Sequence, residues 1–171
     1  MGATHYDICV EIRQELIDYV DLTGVNSIED IKDENLKIWQ APLLNVGKEK
    51  WKSSIETPGI IISPSRTVRV PQGYGTNATS DIQYPVLLQI CDSEISVDEP
   101  DRIHTWAKWA QNIRQHFHEG NLRNQISGVE YVEVLQEDVI DERLFGFHHQ
   151  MVQYVAIQAW SREAHNTSGS G

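Results

Sequence analysis

Histidine and carboxylate are the residue types in this chain whose spacing invites a catalytic reading. Five of the seven histidines fall in two groups, His104, His116 and His118 in one stretch and His148 with His149 in another. A metal centre needs ligands that converge on one point. On a helix His116 and His118 point about 200° apart, and on a strand His148 and His149 point to opposite faces. Neither pair can chelate one ion while its element stays regular, so no metal ligand is assigned. Asp92 and Glu94 follow an extended run and superficially resemble the acidic pair of a metal-dependent nuclease or hydrolase. Such a site also needs a nearby lysine and a third carboxylate, and no lysine occurs between Lys52 and Lys108.

Other catalytic signatures are missing from the sequence. There is no GxGxxG or GxxxxGK[ST] phosphate loop, no GxSxG and no HExxH. The GYG at 73–75 is too short for a phosphate loop and no helical pattern follows it. Cys9 and Cys91 have no CxxC or metal-type neighbours and read as buried thiols. The expectation is therefore a protein that is not an enzyme, with no catalytic residue, no cofactor and no bound metal.

Charge narrows the partners. The formal net charge is −11, whereas a chain that binds nucleic acid by neutralising phosphates needs a basic face. Residues 53–101 hold only two basic side chains, Arg66 and Arg69, and acidic residues crowd DSEISVDEPD (92–101) and EDVIDE (137–142). No apolar run has the roughly eighteen residues of a membrane-spanning helix, and the N-terminal segment lacks a secretory pattern. A product of the cytoplasm with no membrane contact is expected. At 171 residues, 40% of them hydrophobic, the chain suits one domain over 1–161 with a flexible tail at 162–171.

The elements that must position these residues follow from hydrophobic periodicity. Over residues 4–23, Ile8, Cys9, Ile12, Leu16, Tyr19 and Val20 share one helical face, with Thr4 able to cap the start and Gly24 the end. Ser27 with Asp30 forms a capping-box-like pair ahead of IKDENLKIWQAPLL (31–44), read as a helical turn drifting toward extended structure. Residues 46–58 read as an irregular connection. GIIIS (59–63) and RTVRV (66–70) read as extended segments, QGYGTNATS (72–80) as loop, and IQYPVLLQIC (82–91) as a strand. Pro85 cannot donate to a ladder, which predicts an edge position or a bulge.

A second helix is predicted from Pro100, with Asp98, Glu99 and Asp101 placing negative charge at its start. Its apolar face is Ile103, Trp106, Ala107, Ala110, Ile113 and Phe117, and Gly120 ends it. EYVEVLQEDV (130–139) and FHHQMVQYVAIQAW (147–160) read as closing strands. The predicted class is α+β, a mostly antiparallel sheet of about four strands with two main helices on one face.

This order of elements resembles that of the tail terminator and tail-completion proteins of long-tailed bacteriophages. The resemblance rests on the N-terminal amphipathic helix, the Pro-flanked strand TPGIIISP, the long loop, IQYPVLLQI, the Trp-containing helix after an acidic turn and the two closing strands. It covers roughly residues 5–161 and lies in layout, since that family has no diagnostic short motif. The stretch from Asn26 to Pro58 is longer than the family's usual link.

Membership would imply a virion protein that forms a ring, commonly of six copies, on the last ring of the tail tube. There it would stop tube polymerisation and dock the head connector or stopper protein. A compact chain of this length has a diameter of roughly 40 Å, and six in a ring leave a hole of about 40 Å, enough for duplex DNA. An acidic lumen would let DNA slide without binding, and Asp98, Glu99, Asp101, Glu137, Asp138, Asp141 and Glu142 are the lining candidates. The segment 66–82 would then be a projecting loop or hairpin arm, with Arg66, Arg69, Tyr74 and Tyr84 as subunit-interface candidates. Alternatives are another neck component, such as a head-completion or stopper protein, a small metal-dependent nuclease or hydrolase using Asp92, Glu94 and a histidine, and a monomeric adaptor.

Overall fold

The computed structural model of the chain describes residues 4–18, 31–38, 58–65, 68–71, 79–93, 100–118, 129–138 and 150–164. Helix α1 (His5–Asp18) buries Ile8, Cys9, Ile12 and Leu16, the stripe its periodicity predicts. Thr4 caps it reciprocally: the Asp7 backbone N–H donates to Thr4 Oγ1 at 3.2 Å, and the Thr4 backbone N–H donates to Asp7 Oδ2 at 2.8 Å. This is a capping box with Asp in place of Glu, and the Thr4 hydrogen bonds hold the Asp7 carboxyl below its usual range. Residues 19–24, including Tyr19, Val20 and Gly24, lie outside the described residues, as do Ser27 and Asp30.

A single 3₁₀ turn (Asp33–Asn35) leads into β1 (Leu36–Ile38). There follow β2 (Gly59–Pro64), β3 (Val68–Pro71), β4 (Thr79–Ser93), helix α2 (Pro100–His118), β5 (Val129–Asp138) and β6 (Gln150–Ala164). The strands form one six-stranded sheet in the order β1-β2-β4-β6-β5, with β3 also paired to β4. β1 runs parallel to β2, and the other pairings are antiparallel.

The class is thus α+β, but the sheet has six strands and is mixed, where about four mostly antiparallel strands were expected. The parallel pairing and one extra strand come from β1, whose three residues carry no strand periodicity of their own and are held by a partner more than twenty positions away; the other extra strand is β3, which pairs with β4 beside β2. β6 continues through Ala164, which pairs with Thr79, so residues 162–164 are strand rather than tail.

α1 packs over β1, β2 and β4, and α2 over β5 and β6. Both helices share one core with the even-numbered row of β4: Ile82, Tyr84, Val86, Leu88 and Ile90. Facing them across the ladders stand Ile62 opposite Leu88 on β2, and Val155, Ile157 and Ala159 on β6. α2 contributes Trp109, Ala110, Ile113 and Phe117, while Ala107 is exposed. The side chains of Ile103 and Trp106 lie outside the described residues.

The other face of β2 and β4 is buried too. Ile61, Ser63, Gln89 and Cys91 are all at most 1% exposed, which is why GIIIS reads as an unbroken apolar run rather than an alternation. On that face Gln89 Nε2 donates to Ser63 Oγ at 3.1 Å, satisfying two polar groups that burial would otherwise leave costly.

Pro85 is not on an edge. β4 is a central strand, with β6 along one side and both β2 and β3 along the other. β3 pairs with residues 80–83 of β4 and β2 with residues 86–91, so Pro85 falls in the break between them. The Pro85 carbonyl faces that break, where it accepts from the Ser65 N–H at 2.8 Å and from His5 Nε2–H at 2.8 Å. A residue's N and C=O point to the same side of an extended strand, so the missing N–H of Pro85 also faces the break. Ser65 continues the β2 register opposite Pro85, so the one bond the proline forgoes is the reciprocal one to the Ser65 carbonyl, at an exposed residue where that ladder ends.

Candidate functional site

The sequence-predicted interface residues separate in the structure. Arg66 and Tyr74 lie outside the described residues. Arg69 stands in the middle of β3, opposite Ile82, and its side chain is outside the described residues. β3 and β4 pair from Val68 opposite Gln83 to Pro71 opposite Ser80, so the two described sides of the 66–82 arm are a hairpin. Tyr84 is 6% exposed and belongs to the core, with its ring edge-to-face against His5 at a centroid distance of 5.5 Å. Its aromatic surface is used inside the chain, which corrects the reading of Tyr84 as an interface residue. The even-numbered alternation of β4 carries this placement and was the signal available in the sequence.

Of the acidic lining candidates, Asp101 lies in the first turn of α2, and Glu137 and Asp138 end β5 opposite Val155 and Tyr154 of β6. The side chains of these three, together with Asp98, Glu99, Asp141 and Glu142, are outside the described residues. The structure therefore does not bring the candidates together on one described surface.

Among the histidines, His104 is on α2 with its side chain outside the described residues, as are His118's side chain, His148 and His149. His116 is placed: its Nε2 stands 2.8 Å from Glu15 Oε2, tying α2 to α1. Glu15 is 7% exposed, and a carboxylate at that depth requires such a partner. The clue in the sequence was Glu15 itself, which interrupts the apolar stripe of α1 beside Leu16. Among the described residues no group of three or more His, Cys, Asp or Glu converges as metal ligands do. Asp92 is 1% exposed, and Glu94 lies outside the described residues. No described helix is long and apolar enough to cross a membrane.

Burial sets the chemistry of the remaining titratable groups. It pushes the Cys9 thiol up to about 12 and the Cys91 thiol higher, with the Asp92 charge adding to the effect at Cys91. Neither thiol is a nucleophile in the folded chain. His5, half-buried under β4, has its pKa lowered by desolvation, an effect its hydrogen bond to Pro85 opposes.

The surface feature with the clearest construction lies where α1 crosses the sheet's β1 edge. Tyr6, Val10 and Arg13 on α1 and Leu36, Lys37 and Ile38 on β1 line a shallow groove of about 350 Å³. Tyr6 is 64% exposed and Val10 38%, the two large apolar residues that α1 leaves to solvent. Arg13 is fixed: Nε donates to Leu36 O at 2.7 Å and Nη2 to Asp33 O at 3.1 Å. The groove thus joins an apolar floor, two cations and a sheet edge, a composition suited to holding an extended chain with acidic side chains. Sequence reasoning missed it because Tyr6 and Val10 fall outside the apolar stripe and β1 was not recognised as a strand.

No protein-family model matches the chain, and no curated protein is significantly similar to it in sequence.

Proposed function

We propose that this chain is a structural virion protein, a tail terminator or tail-completion protein of a long-tailed bacteriophage, acting as an oligomeric ring. In this role the ring caps the tail tube, joins it to the head connector or stopper protein and leaves a channel for DNA. The observation that carries the reading is the order and layering of elements: an N-terminal helix, strands β2 to β4, a Trp-containing helix and two closing strands, with both helices on one face of one sheet. The net charge of −11 supports a channel that DNA passes without binding, because phosphate is repelled rather than neutralised. The acidic residues Asp98, Glu99, Asp101, Glu137, Asp138, Asp141 and Glu142 remain the proposed lining, and six copies the proposed stoichiometry.

The test is tube growth. Adding the purified protein to polymerising tail tube protein of the same particle should cap the tubes and shorten their length distribution. Tubes that grow to the same lengths with no density at their ends would sink the terminator role.

A further inference from the structure

A ring of identical chains needs two different surfaces on each chain that fit one another. The sheet offers two such surfaces at its opposite ends. Its order places β1 at one end and β5 at the other, and among the described residues no strand pairs with the outer side of either. Their chemistry is opposite. Among the described residues the groove beside β1 is lined by Arg13 and Lys37 and by no carboxylate. Near it, Glu34 is engaged by Lys32 at 3.8 Å. β5, by contrast, carries Glu130, Glu133, Glu137 and Asp138 and no basic residue.

We infer that the α1–β1 groove receives the β5 edge of a second copy of this chain, so that the β1 end of one subunit's sheet meets the β5 end of the next around the ring. This rests on the ring reading and goes beyond it by naming the two surfaces that meet. Tyr6 and Val10 are the apolar anchors, since both are exposed beside an edge that no described strand pairs. Lys37, which is exposed, faces the acidic strand, and Glu130 is the exposed carboxylate among the β5 side chains described. Glu133 is held within its own subunit by the Trp160 Nε1–H at 3.1 Å.

Strand directions are compatible with this junction. β1 is parallel to β2, and the successive pairings β2 to β4, β4 to β6 and β6 to β5 are antiparallel, so β5 runs opposite to β1. Copies arranged in the same sense around a ring therefore present β5 antiparallel to the neighbour's β1, the pairing that a short edge accepts most readily. Strand β1 is only three residues long, and both backbone groups of Leu36 are engaged within the subunit, its N–H by Asp33 O and its carbonyl by Arg13, so side chains carry more of this junction than backbone pairing does.

The test uses introduced thiols in the full chain, whose native Cys9 and Cys91 are buried. Lys37→Cys and Glu130→Cys variants are prepared separately, mixed, and treated with a short bis-maleimide. The mixture should give cross-linked dimers and each variant alone should give none, while the double variant should give a ladder ending at the ring number. A second variant, Tyr6→Ala, should weaken self-association about tenfold or more without loss of folding. Cross-linking of Lys37→Cys to itself would mean that like edges meet, and would overturn the inference. So would the absence of any cross-link while the wild-type protein is oligomeric, a result that leaves the ring reading intact and moves its interface elsewhere. A wild-type chain that is monomeric both alone and on tail tubes overturns the ring reading, and this inference with it.

Discussion

Moving the proline of β4 by two residues separates two accounts of why it is tolerated. Pro85 sits where β3 has ended and β2 has not yet begun, with its carbonyl turned to Ser65 and His5. Pro85→Ala restores an N–H whose ladder acceptor is the carbonyl of exposed Ser65 at the end of the ladder, so it gains at most one hydrogen bond that water competes for. It also frees the unfolded chain slightly, and the expected cost is under about 1 kcal/mol. Leu87 points its N–H to the same side two residues on, but there its partner across the ladder is Ser63 of β2. Leu87→Pro deletes that ladder bond, leaves an acceptor on a strand whose Ser63 is 1% exposed, and drives the ring against the neighbouring backbone. About 1–3 kcal/mol for the stranded buried group, added to the ring clash, places the loss at roughly 3 kcal/mol or more. Urea denaturation of the three proteins, with m-values compared, gives both numbers directly. Equal losses for the two variants, or a loss above about 2 kcal/mol for Pro85→Ala, would refute the claim that the break between β2 and β3 absorbs the proline.

Three further outcomes follow from the described residues. Trp109 is 1% exposed and its indole N–H has no hydrogen-bond partner among the described residues, so Trp109→Phe should stay within about 1 kcal/mol of wild type while Trp109→Ala loses about 3–5 kcal/mol. A large loss for the phenylalanine variant in chemical denaturation would show that the N–H is satisfied after all. His5 has a folded pKa below its ordinary value of 6.5, so its contribution is complete above that value and lost as pH falls through the folded one. The difference in melting temperature between wild type and His5→Asn should accordingly change between about pH 7.5 and pH 5, and a constant difference would contradict it. Both cysteines are buried with raised pKa values, so a colourimetric thiol reagent at mildly alkaline pH should label none in the native protein and two in denaturant. Rapid labelling of the native chain would count against the core as described.

Much of the fold was readable because most elements carry their own pattern. The α1 stripe, the GIIIS run, the alternation through Ile82 to Ile90 and the Ala110, Ile113, Phe117 face of α2 are local signals, and each falls in an element of the expected kind. What was not readable depends on partners distant in sequence. β1 exists only through its parallel pairing with β2, and the place of Pro85 depends on where two other strands stop. The burial of Tyr84 was legible in the sequence, since it shares the period-two row of Ile82 and Val86. Trp109 likewise fits the helical spacing of Ile113 and lies in the core, although the expected apolar face names Trp106 instead, whose side chain is outside the described residues. The α1–β1 groove was hidden for a different reason: it is made of residues off the buried stripe of one element and on an unrecognised second one.

The most direct test of the ring account is the mass of the intact assembly. Native mass spectrometry of the purified chain, alone and recovered from tail tubes, should give a closed homo-oligomer, six copies in the proposed form, with no stoichiometric metal. A stable monomer under both conditions, carrying one metal ion per chain, would contradict the account and return attention to Asp92 and the histidines.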